Sequence, residues 1–169
     1  MLTIKVFLDT NVLIDVLSVS NRPSTEYSSR IFQEIRNFKL EGVISVQSVV
    51  DAAYVFRNDP KTQQLFRDRI LQIKNYVNLE PLNDFDLQDA LLSGESDFED
   101  ELQVFHAYNA RCDYFITSDR KLSSRRRISG MQFCTPEEFV RKMKGMSVDE
   151  RTKGTLTPER RYEGCQPDL

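Results

Sequence analysis

Aspartates fall at four places in this chain where chemistry could use them: Asp9, Asp51, the pair Asp97 and Asp100, and Asp119. Asp9 interrupts an apolar run that reads IKVFLDTNVLI. A carboxylate left unpaired in dry surroundings is costly or stays protonated, so a run of this kind needs a reason to contain one. Asp51 lies in VVDAA, which is not a solvated face, and its carboxylate needs a partner. Asp97 and Asp100 are three residues apart and therefore neighbours on the surface of one helix. Ordinary roles exist for each of them. Asp9 and Asp119 suit a turn or a cap, SDFED resembles a capping box whose acids the helix macrodipole favours, and a mid-helix Asp51 can bond a nearby backbone or side-chain group.

As a set, the acids say more than any member. Carboxylates brought together raise one another's pKa unless a cation lies among them. Hard divalent ions, Mg²⁺ or Mn²⁺, accept oxygen ligands and leave positions for water and phosphate. The chemistry that follows is metal-assisted phosphodiester hydrolysis, in which one ion activates a water and a second, where present, stabilises the leaving oxygen.

Convergence of these acids depends on the elements that carry them. Short apolar runs predict strands at 4–8, 43–45, 77–79, 113–117 and 131–134, the last being weak. Helical spacing predicts helices beginning at Val12 and Val46 and covering 27–38, 61–74, 84–92, 98–110 and 136–144, with Gly42 read as the stop of the second. Phe98, Leu102 and Phe105 share a face and read as core. Strands that alternate with helices make an α/β sandwich around a mostly parallel sheet. Ligands bind such sheets outside the carboxyl ends of the strands, which is where Asp9 and Asp119 fall.

With 169 residues the chain is long enough for one domain with its own core. The expected division is a globular domain over 1–144 and a polar tail over 145–169, where charges and prolines replace apolar residues. The net charge of −3 gives no global attraction to nucleic acid. Cys112, Cys134 and Cys165 show no metal or disulfide spacing and read as reduced thiols. No stretch approaches the roughly 18 apolar residues of a membrane span, and no leader pattern opens the chain. The expectation is a soluble cytoplasmic protein.

FLDTNVLIDVL, ISVQSVVDAAYVF, SDFEDELQVFHAYNARCDYFITSDRKL and FCTPEEFV, in that order, resemble the PIN-domain nucleases, and in style the VapC-like toxins of toxin–antitoxin pairs. The resemblance spans about residues 3 to 143. It implies a three-layer α/β/α sandwich with an acidic cluster that binds Mg²⁺ or Mn²⁺. By the same resemblance Asp9, Asp51, Asp100 and Asp119 are the catalytic, metal-holding acids, with Asp51 standing where the family most often has Glu. Asn11 would orient the loop beside the first acid, Thr117 would hydrogen-bond into the cluster, and Asp97 would support or cap. The resemblance further implies a ribonuclease that cleaves RNA, a homodimer, and an antitoxin protein that blocks the site.

Arg120, Lys121, Arg125, Arg126 and Arg127 follow Asp119 closely. They are candidates to hold an RNA backbone beside the acids, against the plainer reading of a solvated loop. His106, the only histidine, fits packing or surface better than a general base. The rival to a metal-dependent ribonuclease is a catalytically weak PIN-like module that binds RNA or a protein partner. A phosphatase with Asp9 as nucleophile would need a second Asp two residues on, where Asn11 stands. No glycine-rich phosphate loop supports a nucleotide-binding fold.

Overall fold

The computed structural model describes residues 3–18, 24–125, 128 and 130–145. Its elements are β1 (Lys5–Leu8), α1 (Thr10–Leu17), α2 (Thr25–Arg36), β2 (Glu41–Ser45), α3 (Val46–Val55) and α4 (Pro60–Ile73). Then come β3 (Asn78–Glu80), α5 (Asp84–Ser93), α6 (Phe98–Asn109), β4 (Tyr114–Ile116), α7 (Arg120–Arg125), β5 (Gln132–Cys134) and α8 (Pro136–Gly145). The strands form one sheet in the order β3-β2-β1-β4-β5, with every pair parallel.

A parallel sheet needs both faces covered, and β1 shows how the sequence arranges it. Val6, Phe7 and Leu8 have no exposed surface, and alternate side chains leave the strand in opposite directions. Val6 and Leu8 join Val12, Leu13, Ile31, Ile35 and Phe139 from α1, α2 and α8. Phe7 joins Val104, Ala107 and Phe115 on the other face and stacks on Phe115 with ring centroids 5.2 Å apart. Helices therefore lie on both sides, giving the three-layer α/β/α sandwich. Cys112 and Cys134 are buried free thiols. The tail from 146 onward, with Cys165, lies outside the described residues, and Gly145 closes α8.

Three expectations are corrected. Gly42 does not stop α2, which ends at Arg36 with Asn37 as its cap and Phe38 in the left-handed region at φ 57°. Gly42 lies inside β2, because α2 packs so close that a Cβ there would come 2.6 Å from Ile35 Cδ1. Phe98 is 42% exposed, and Leu102 and Phe105 are only partly buried. The buried face of α6 is instead the one carrying Gln103, Val104, His106 and Ala107. The segment after Asp119 begins as a short helix, α7, and not as a loop.

The packing over Gly42 yields a test. Gly42→Ala should force the buried Ile35 side chain aside and lower stability by about 1–3 kcal/mol, read as a fall in Tm of roughly 2–12 °C for a chain of this size. An unchanged melting curve would contradict the close approach of α2 to β2.

Candidate active site

β1 and β4 are neighbours, and the site grows from the point where both end. The backbone N–H of Asp9 donates to Ile116 O at 3.0 Å, which sets Asp9 beside Thr117 at the carboxyl edge of the sheet. Asp9 is the N-cap of α1, with extended backbone, and is 4% exposed. Its Oδ1 accepts the Thr10 N–H at 2.6 Å and its Oδ2 accepts the Thr117 hydroxyl at 2.7 Å. Thr117 Oγ1 also accepts the Asp119 N–H at 3.0 Å, so one hydroxyl joins two of the acids. Asp119 Oδ1 in turn accepts N–H groups of Lys121 at 2.7 Å and Leu122 at 3.3 Å, which starts α7.

The first turn of α6 brings further negative charge. Asp97 caps this helix, its Oδ1 accepting the Asp100 N–H at 3.3 Å. Burial pushes Asp100 up to about 6, helped by the charges of Asp97, Asp9, Asp119 and Glu99. Burial likewise raises Asp9, against the lowering effect of its bonds from Thr117 and Thr10, and the charges of Glu99 and Asp119 add to the rise. Glu99 is raised by burial and then by Asp51 and Asp97. Asp9, Asp100 and Asp119 thus share one electrostatic neighbourhood.

Asp51 occupies the α3 side. Its Oδ1 accepts from Gln47 Nε2 at 2.8 Å, while its Oδ2 is buried without a hydrogen-bond partner. Ser118 Oγ, between Thr117 and Asp119 in the chain, is a second buried polar atom without one. Asn11 is exposed in the first turn of α1. Arg120 and Lys121 are exposed on α7, whereas the Arg125 side chain, Arg126 and Arg127 lie outside the described residues. His106 is buried, with Nδ1 2.6 Å from Asp86 Oδ2 and its ring edge-on to Phe7, so it belongs to the packing of α6 on α5 and β1.

A buried neutral network spaces the acid-bearing helices. Gln103 Nε2 donates to Thr10 Oγ1 at 3.3 Å, and Gln103 Oε1 accepts the Ser48 hydroxyl at 3.2 Å. Ser48 Oγ lies 2.9 Å from Ser45 Oγ, which caps α3 by accepting the Ser48 N–H. Sequence reasoning passed over Ser45, Ser48, Gln103 and Glu99. The signal for Ser45 was its place at a strand-to-helix junction, and for Gln103 its position one turn after Asp100.

These residues fit a divalent ion of the Mg²⁺ kind. Among the described residues no three Asp, Glu, His or Cys side chains form a closed chelating set. Mg²⁺ asks for less, since it retains several waters and takes one or two carboxylates with phosphate oxygens completing its shell. The raised carboxyl groups of Asp9 and Asp100, and separately the orphaned Asp51 Oδ2, are groups that a cation would satisfy.

Comparison with known proteins gives matching results. A family model described as PIN domain matches residues 5–121. No curated protein matches the sequence. Mycobacterium tuberculosis VapC20, a Sarcin-Ricin loop cleaving toxin, superposes with a TM-score of 0.54 at 11% identity, covering 70% of this chain and 95% of that one. A toxin-antitoxin complex from Klebsiella pneumoniae gives 0.54 at 18% identity, covering 78% and 97%. VapBC2 from Rickettsia felis, bound to a DNA fragment from its promoter, gives 0.57 at 13% identity, covering 78% and 98%. At these identities the likeness to the solved structures is one of fold.

The Asp100 shift fixes the sign of a pH effect. The unfolded carboxyl ionises near 3.8 and the folded one near 6, so ionisation opposes folding. Without divalent ions, this contribution makes the protein lose stability as pH rises from 4 to 6, with no further loss above. Asp100→Asn should therefore raise Tm relative to the parent above pH 6, and the two curves should meet towards pH 4. Equal melting at both pH values would contradict the shift.

Proposed function

The chain belongs to the PIN domain family, and from that membership we propose that it is a divalent-metal-dependent ribonuclease and the toxin of a toxin–antitoxin pair. One observation carries the reading: a buried carboxylate, Asp9, stands at the sheet's carboxyl edge in the electrostatic company of Asp100 and Asp119. A site for neutral or anionic groups alone has no use for such repulsion.

In this reading Asp9, Asp100 and Asp119 hold Mg²⁺ or Mn²⁺, with Asp51 contributing from α3. When bound, the ion supplies Lewis-acid polarisation of the scissile phosphate and activation of a water. The protein's own groups do the rest. Thr117 locks the rotamer of Asp9 by donating to Oδ2 and fixes the backbone of Asp119 by accepting its N–H. Gln103 sets the distance between α1 and α3, and thereby between Asp9 and Asp51. Exposed Asn11, two residues past Asp9, would orient the loop beside it. Exposed Arg120 and Lys121, next to Asp119, are positioned to take the flanking phosphates of RNA, with Arg125, Arg126 and Arg127 continuing the basic run.

The partners follow the same reading. The solved structures of similar fold include a toxin–antitoxin complex and a VapBC pair, which supports an antitoxin partner here. A homodimer and action on cytoplasmic RNA complete the proposal. Among the described residues no helix is long and apolar enough to cross a membrane.

Purified protein, freed of any copurified partner, should cut total cellular RNA at discrete sites with Mg²⁺ or Mn²⁺ and not with EDTA. Asp9→Asn should reduce the rate at least roughly 100-fold, beyond the loss typical of residues that merely support a ligand. No cleavage with either metal would overturn the enzyme and leave a binding module. Arg120→Ala and Lys121→Ala should each weaken RNA binding across sequences and lower the salt slope by about one; an unchanged slope would remove α7 from the RNA path.

A further inference from the structure

Gln103 shows which face of α6 looks into the site, because its amide reaches Thr10 on α1 and Ser48 on α3 together. Residues four apart share one stripe of a helix. Glu99 therefore stands one turn before Gln103, on the stripe of α6 that Gln103 turns towards α1 and α3. On α3, Asp51 lies three residues past Ser48, on that same side of its helix. Asp51 is short, and Gln47 already holds its Oδ1 while its Oδ2 is buried and unpartnered.

The charges follow the same layout. Asp51 is the strongest charge acting on Glu99, and Glu99 is among the charges acting on both Asp9 and Asp100. Glu99 is largely exposed, with enough of its carboxyl shielded to raise it, so packing neither requires nor forbids a carboxylate there. Its plain alternative is a first-turn acid favoured by the dipole of α6, a role that would leave metal binding untouched.

We propose that Glu99 is a further metal-holding carboxylate, the one that joins Asp51 to the group of Asp9, Asp100 and Asp119 around a divalent cation. This rests on the metal-dependent reading above and adds a residue to it. Glu99 is one methylene longer than Asp51, and the two carboxylates are electrostatic neighbours.

The test is Mn²⁺ binding by the full-length protein, with the free ion followed by electron paramagnetic resonance. Glu99→Gln should weaken binding at least roughly tenfold, the scale on which altered coordination shells act, while the metal-free Tm stays level or rises. Adding Asp51→Glu to Glu99→Gln should recover most of the affinity, because the extra methylene gives that carboxylate the length of the one removed. Affinity equal to wild type in Glu99→Gln, or a loss that Asp51→Glu fails to relieve, overturns the role of Glu99. A wild-type protein that binds no Mn²⁺, or binds it equally after Asp9→Asn, overturns the metal reading itself and Glu99 with it.

Discussion

The Asp9 carboxylate is buried where the central strand ends, and two hydrogen bonds hold it there. Bonds to a charged group contribute about 1.5–3 kcal/mol each, while removing a carboxylate from water costs several kcal/mol. The bonds from Thr10 and Thr117 thus offset much of that burial, but Glu99 and Asp119 push the other way, and the net effect on Asp9 is an upward shift. The arrangement keeps repulsion in reserve. A positive charge arriving at this edge gains the relief of it as well as its own attraction.

Among the described residues, the side chains that link these acid-bearing segments are uncharged. Thr117 ties Asp9 to Asp119, and the Ser45–Ser48–Gln103–Thr10 network ties α3 and α6 to α1. Neutral bonds suit this work, because a lysine or arginine placed there would itself cancel the carboxylates. The sheet order makes the network possible. With β1 between β2 and β4, the residues following all three strands meet along one edge. The two faces of β1, one packed by Val6 and Leu8 and the other by Phe7, hold that order in place.

The strands and most helices were legible because their apolar spacing is local and strong. Asp9 and Asp119 could be placed at the sheet edge for the same reason, since Asp9 directly follows one apolar run and Asp119 comes two residues after DYFIT. Gly42 misled because a glycine after a helix ordinarily stops it, whereas here the missing Cβ makes room for Ile35 from a distant part of the fold. α7 escaped notice because six residues with little apolar content carry no period, and a cap from Asp119 starts the helix. The inward face of α6 was misjudged because Phe98, Leu102 and Phe105 spell a core stripe, yet the helix turns Gln103 inward to serve the network. Buried polar pairing between distant segments leaves no mark in local spacing, and Glu99 was hidden by its ordinary place in a capping sequence.

The central claim is that these carboxylates are held together for a cation, and anomalous diffraction from Mn²⁺-soaked crystals of the wild-type protein tests it most directly. The account predicts an anomalous peak at the carboxyl edge of the sheet, coordinated by Asp9 with Asp100 or Asp119, and absent in Asp9→Asn crystals. A structure at saturating Mn²⁺ with no peak there, or with a lysine or arginine side chain folded in to neutralise the acids, would contradict it.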